Sequence, residues 1–414
     1  MPSLPLQPTA PMTPAEVALC VDAILHASTM DRPDYTPSLP STTPLLLTYM
    51  SSLPASWPLG ITAALRGVPL AVHGLGMAWG GPGVRVPAVR RAAQVVAQLR
   101  GLSTVLAAAD GADVIVANPP PGRLASEAAR SPRMLVGGEC NAWPNCDRDA
   151  YARDAMHQQC LRSGRAACFA NAGAYMASAR TLLALLPVWE RLRTPETVNW
   201  RHLRFNDQAA LHTLYLQQAA ELNGTTSVAV DSANEMHLSL SACRKPVYSN
   251  NKARRIRQEA QCMTREHEPL QALEISTSPD TGIVVARTPW ARTPWLLHAP
   301  GNHSSLQHIA DAALQSASRH GLKWRKAHEA IVLLVDASPA VAGHPSGCGA
   351  RPLKELLGLQ QNTASPRTAS GLRVVRHVAS IHRDRGPGRA SAKGAGAPPR
   401  PLVGRQHGRP PHSG

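Results

Sequence analysis

Phenylalanine is almost missing from this chain, with two residues in 414 and all aromatics together at 4%. Its core must therefore be built from Ala, Leu and Val. No stretch of about 18 or more apolar residues occurs, so no transmembrane helix is expected. The opening Met-Pro-Ser-Leu-Pro-Leu-Gln-Pro lacks a basic segment and an apolar segment, so no secretory signal is expected there. None of the eight cysteines belongs to a close CxxC pair, which excludes a zinc ribbon or finger. Internal repeats are absent as well.

What is present in excess is positive charge, formally +16. Residues 351–414 hold 12 Lys/Arg against 2 acids, while the preceding 350 residues hold 31 against 25. The imbalance is concentrated in a tail rich in Gly, Pro, Ser and Arg, which cannot bury enough surface to offset chain entropy. That tail carries no Phe, Trp or Tyr to stack on bases and no recognisable reading motif, so no specific nucleic acid is expected as a partner. Cys140, Cys146, Cys160 and Cys168 fall in a 29-residue span. They read as disulfide candidates in an oxidising compartment, or as buried or free thiols in a reducing one. Sequons at Asn223 and Asn302 are compatible with secretion.

The expected organisation is a poorly ordered leader over 1–40 with one helix near 15–27, a main domain over 41–320, an extension over 321–350 and a basic disordered tail over 351–414. Within the main domain, strands are expected at 45–50, 69–72, 104–110, 114–117, 133–138, 168–176, 227–231, 282–286 and 294–298. Helices are expected near 59–66, 88–99, 177–191, 209–222 and 304–319. Residues 244–280 break the regularity and read as an inserted loop. A last strand is expected at 332–335. Strands alternating with helices predict an α/β fold with a mostly parallel sheet and right-handed crossovers.

The chemistry-bearing residues fall at the ends of these strands. One apolar run ends in Asp110, with Asp113 before the next. Open α/β sheets bind ligands at the carboxyl ends of their strands, and paired hard oxygens there suit a divalent cation on phosphate oxygens. The run 133–138 leads into Glu139, followed by Trp143 and Pro144. Asn171, Gly173 and Tyr175 lie in a segment of small residues. Asn206, Asp207 and Gln208 open a helix, where Asn206 is placed to cap free amides. Asp231 ends a strand, and His298 ends another before Gly301 and Asn302.

Taken in this order, the motifs resemble the glycosyltransferase domain of procollagen lysyl hydroxylases and their stand-alone relatives, over roughly residues 45–313. The resemblance implies a GT-A nucleotide-sugar-binding fold with helices on both faces of the sheet. It implies Asp110, Asp113 and His298 as ligands of a divalent metal, with Mn²⁺ favoured over Mg²⁺ because imidazole is softer than oxygen. It places Glu139, Asn171 and Asp207 among the catalytic groups. Trp143, Asn206, Gln208, Gly173, Asp231, Gly301 and Asn302 would then line the sugar and acceptor side. Hydroxyl-rich sugars call for convergent amides and carboxylates, with Trp143 as a stacking face.

The implied reaction is transfer of a hexose from a UDP-sugar to a hydroxyl on a protein or glycan, with retention, in the ER or Golgi lumen or outside the cell. The chain departs from the family in three places. Gly111 and Ala112 stand where relatives often carry an aromatic between the two aspartates. Asn206 replaces the first of two acids before the Gln. The hydroxylase half, with its His-x-Asp iron motif, is missing. The other readings are a non-catalytic sugar- or peptide-binding descendant of the fold, and polyanion binding through the basic tail.

Overall fold

The structure is a computed structural model. It describes residues 10–31, 43–53, 57–77, 84–140, 148–163, 165, 167–192, 207–218, 222, 224, 226–240, 274–278, 281–288, 292–300, 303–319, 330–356 and 377–378. The strands are β1 (Leu45–Tyr49), β2 (Leu70–His73), β3 (Val105–Asp110), β4 (Val114–Val116), β5 (Arg133–Glu139), β6 (Phe169–Ser178) and β7 (Ser227–Asp231). They continue with β8 (His237–Ser239), β9 (Glu274–Thr277), β10 (Val284–Arg287), β11 (Leu296–His298), β12 (Ile331–Val335), β13 (Gly349–Pro352) and β14 (His377–Val378).

Eleven strands form one mixed sheet in the order β13-β12-β2-β1-β3-β6-β5-β8-β11-β4, with β7 alongside β5. Pairing is parallel across β12-β2, β2-β1, β1-β3, β5-β7, β5-β8 and β8-β11, and antiparallel at β13-β12, β3-β6, β6-β5 and β11-β4. The fold is thus α/β with a mostly parallel central sheet, as the alternation of strands and helices predicts. β9, β10 and β14 make a separate small antiparallel sheet.

Both faces of the main sheet are buried, which is why its strands are continuous apolar runs rather than alternating ones. Leu45 and Leu47 of β1 point into one core, with Leu106 and Ala108 of β3; Leu46, Val105 and Ala107 point into the other. The first core is closed by helices Pro14–Asp31, Arg85–Arg100, Ala179–Arg191 and Asp207–Leu216, and the second by helices Pro58–Arg66 and Gly122–Arg130. β3 is packed with small Ala side chains, and among the described residues Trp57, Trp189, Trp295, Tyr151 and Tyr175 are the largest fully buried rings.

Three boundaries differ from the sequence reading. The helix expected near 15–27 spans Pro14–Asp31, but it is not part of a poorly ordered leader: its Cys20 is disulfide-bonded to Cys348 and its Val17 and Ile24 are buried in the first core. The helix was visible in the sequence; a partner 328 residues away was not. The extension 321–350 supplies β12 to the sheet beside β2, and β13 continues it to Pro352, inside the stretch assigned to the tail. β9 lies within 244–280, expected as a loop. The rest of that insert, and nearly all of the tail, lie outside the described residues.

Candidate metal site

β1 and β3 run parallel, with Tyr49 opposite Asp110, so the carboxyl end of β3 delivers Asp110 to one edge of the sheet. The chain turns through Gly111 and Ala112 and re-enters the sheet as β4. Buried Trp57 holds that turn, donating its indole N–H to the Gly111 carbonyl at 2.9 Å. β4 pairs antiparallel with β11, Val114 opposite His298, and the Ala299 amide donates to the Asp113 carbonyl at 2.9 Å. This pairing brings the late histidine to the early aspartates.

The His298 Nε2 atom lies 3.3 Å from Asp110 Oδ2 and 3.6 Å from Asp113 Oδ1. One ligand atom from each of the three residues fits within 4.8 Å of the others. The Nε2 atom is buried and makes no hydrogen bond. Its other nitrogen, Nδ1, sits 3.1 Å from His237 Nε2. Burial, and next the neighbouring His298, push His237 well below the ordinary histidine range, so His237 is neutral. Where His298 Nδ1 is the donor of this pair, the lone pair on its Nε2 is left to face the two carboxylates. Ligands at 2.0–2.2 Å from a small divalent cation stand about 3 Å apart, and the 3.3 and 3.6 Å spacings of His298 to the two aspartates come near that, so the three residues could hold one.

Two glycines make room for the histidine pair. A Cβ on Gly173 would stand 2.5 Å from His298 Nδ1, and one on Gly137 would stand 2.5 Å from His237 Nδ1. Gly173 owes its position to a bulge. Between Val136 and Gly137 the partner residue on β6 jumps from Tyr175 to Asn171. The backbone amides released by the bulge are taken up by side chains: Gly173 donates to Asn171 Oδ1 at 2.7 Å, and Ala172 donates to Gln208 Oε1 at 2.5 Å. The amide groups of the same two residues then donate to Glu139, from Asn171 at 2.8 Å and from Gln208 at 2.5 Å. Burial pushes the Glu139 carboxyl up to about 8, against the lowering effect of Asn171, His298 and Gln208.

Asp207 starts its helix and is buried; its carbonyl accepts the Trp189 indole N–H at 3.0 Å. Its carboxylate is joined to the aspartate pair through Arg85, whose guanidinium contacts Asp110 on one side and Asp207 on the other. Asp231 has a different occupation. Its carboxylate accepts the amides of Glu235, Met236 and His237 at 3.1, 2.7 and 3.0 Å, ordering the turn that feeds His237 into β8. Burial raises its carboxyl to about 6. Both oxygens being engaged, Asp231 bears on the site through His237. Tyr175 packs edge-on against Trp189 in the first core.

The structure therefore brings together Asp110, Asp113, His298, Gly173, Asn171, Glu139, Gln208 and Asp207. Trp143, Pro144, Asn206, Gly301 and Asn302 lie outside the described residues. Sequence reasoning missed Arg85, His237 and Trp57. Arg85 sits in an unremarkable Val-Arg-Val-Pro run, and only an isolated histidine in an apolar strand announces His237. The described cysteines 20, 140, 160, 168 and 348 are all disulfide-bonded, Cys160 pairing with Cys168 eight residues on. No helix among the described residues is long and apolar enough to cross a membrane. No protein-family model matches the chain, and no curated protein matches it.

Proposed function

We propose that the chain is a metal-dependent glycosyltransferase of the GT-A type, moving a hexose from a UDP-sugar to a hydroxyl acceptor on a protein or glycan. The observation that carries this reading is the convergence of Asp110, Asp113 and His298, with an unpartnered imidazole nitrogen facing two carboxylates. When bound there, Mn²⁺ or Mg²⁺ supplies Lewis-acid stabilisation of the charge on the departing diphosphate. The chain's own groups do the rest: His237 and Gly173 orient His298, Trp57 holds the aspartate turn, and Arg85 ties Asp207 to it. The expected family likeness, retention included, rests on motif order. The disulfides support an oxidising compartment, as the luminal or extracellular expectation requires.

One observation favours a second reading, a non-catalytic sugar- or peptide-binding descendant. Glu139, Asn171 and Gln208 are hydrogen-bonded mainly to one another and to the β6 bulge, so they serve the fold before any substrate. The two readings separate on UDP release by the full chain from a panel of UDP-sugars, with and without Mn²⁺, beside an Asp110→Ala/Asp113→Ala double variant. Release that needs Mn²⁺, prefers one sugar and disappears in the variant supports the transferase. No release with any sugar, and no Mn²⁺-dependent UDP binding, moves the assignment to the binding module.

A further inference from the structure

Arg85 opens the helix Arg85–Arg100, whose first turn has no acidic residue. A cation there works against the helix dipole, which favours negative charge at an N-terminus. Its place is instead determined by two acids from different parts of the chain, Asp110 at the end of β3 and Asp207 at the start of another helix. The side chain is largely buried, at 12% relative exposure.

The charges have a definite consequence. A divalent cation on the triad would stand beside a guanidinium bound to the same Asp110 carboxylate. Arg85 contacts Oδ1 while His298 faces Oδ2, so both cations share one carboxyl group and repel across it. A diphosphate bound to that metal would bring negative charge next to the same guanidinium, and Arg85, with several donors in a planar fork, is placed to meet it.

We propose that Arg85 couples metal to diphosphate: it weakens binding of the divalent cation alone and strengthens binding of the nucleoside diphosphate to the metal-loaded site. The inference rests on reading the triad as a metal site and deepens it. Linkage makes the effect reciprocal, so the diphosphate raises metal affinity through the same residue. The site then loads metal and diphosphate together rather than holding a permanent ion.

Calorimetric titration of the full chain tests this, with Mn²⁺ alone and with UDP at saturating Mn²⁺, for wild type and Arg85→Met. The variant is expected to bind Mn²⁺ about tenfold more tightly and UDP about tenfold more weakly. A purely structural role would loosen both. An Arg85→Met protein that binds Mn²⁺ no more tightly than wild type, or binds UDP equally well, overturns the proposal. Arg85→Gln removes the charge but keeps a donor for one carboxylate; it carries the same two expectations if the Met variant does not fold. If neither wild type nor variant binds Mn²⁺, the metal reading itself falls, and this inference with it.

Discussion

Gly173 lies against the imidazole of His298 so closely that a side chain on it would collide with the ring, its Cβ standing 2.5 Å from Nδ1. A strand residue is thereby tied to a candidate metal ligand 125 residues later in the chain, which has room only because the strand residue lacks a side chain. Gly173→Ala should turn His298 away from Asp110 and Asp113. Its Mn²⁺ affinity is expected to fall about 10–100-fold with the circular dichroism spectrum unchanged, as when an orienting partner is lost. Gly122→Ala, with open space around the added methyl, is the control and should leave Mn²⁺ binding alone.

Glu139 should give the fold an alkaline weakness. Its carboxyl is raised from 4.5 to about 8 by burial. Between those values the folded chain keeps a proton that the unfolded chain has released. Stability therefore falls as pH rises through that window, by about 1.4 kcal/mol per unit at most, and levels off above it. Glu139→Gln cannot titrate. Urea unfolding at a series of pH values should show the variant gaining on wild type from pH 5 to pH 8; parallel curves would mean that Glu139 ionises normally.

Asp336 should act with the opposite sign. It follows β12 at φ 49°, accepts from His73 Nε2 at 3.0 Å and from Arg91 Nη2 at 2.9 Å, and is held near 2, below the ordinary 3.8, by these two partners against the cost of burial. Its stabilisation is complete above 3.8 and is lost as pH falls through 2. Asn tolerates the same left-handed backbone, so Asp336→Asn isolates the charge. The variant is expected to lose about 2 kcal/mol at pH 7 and to converge on wild type at pH 2. Chemical denaturation at both pH values measures it.

The bond between Cys20 and Cys348 closes a loop between positions 328 apart in sequence, and so constrains the unfolded chain strongly. Cys20→Ser/Cys348→Ser should cost about 3–5 kcal/mol, read as a lower midpoint in guanidinium. Reduction of wild type should bring it to at least the same midpoint. A double variant as stable as wild type would show that the helix Pro14–Asp31 is held by packing alone.

Much of the sheet was legible because its strands are buried on both faces and so stand out as short apolar runs between turn residues. β1 to β6, β10, β11 and β12 lie close to where those runs place them. β8 and β13, three and four residues long, offer no such run, and β9 lies in a polar stretch. Asp110, Asp113 and His298 were nameable as strand-end residues. Arg85, His237 and Trp57 were not, because each acts through a single contact with a distant residue and leaves no spacing in the sequence.

The residue types and their order along the chain determined which strands exist, that helices separate them, and that acids and a histidine end several of them. Local hydrophobic patterning carries that much, since each element answers to its neighbours within a few residues. Tertiary structure alone decided that β11 lies between β8 and β4, that Gly173 faces His298 through a bulge in β6, and that Arg85 spans Asp110 and Asp207. Those are relations between segments tens to hundreds of residues apart. They follow from how the sheet closes its pairings and buries both faces at once, a property of the whole fold that no single segment encodes.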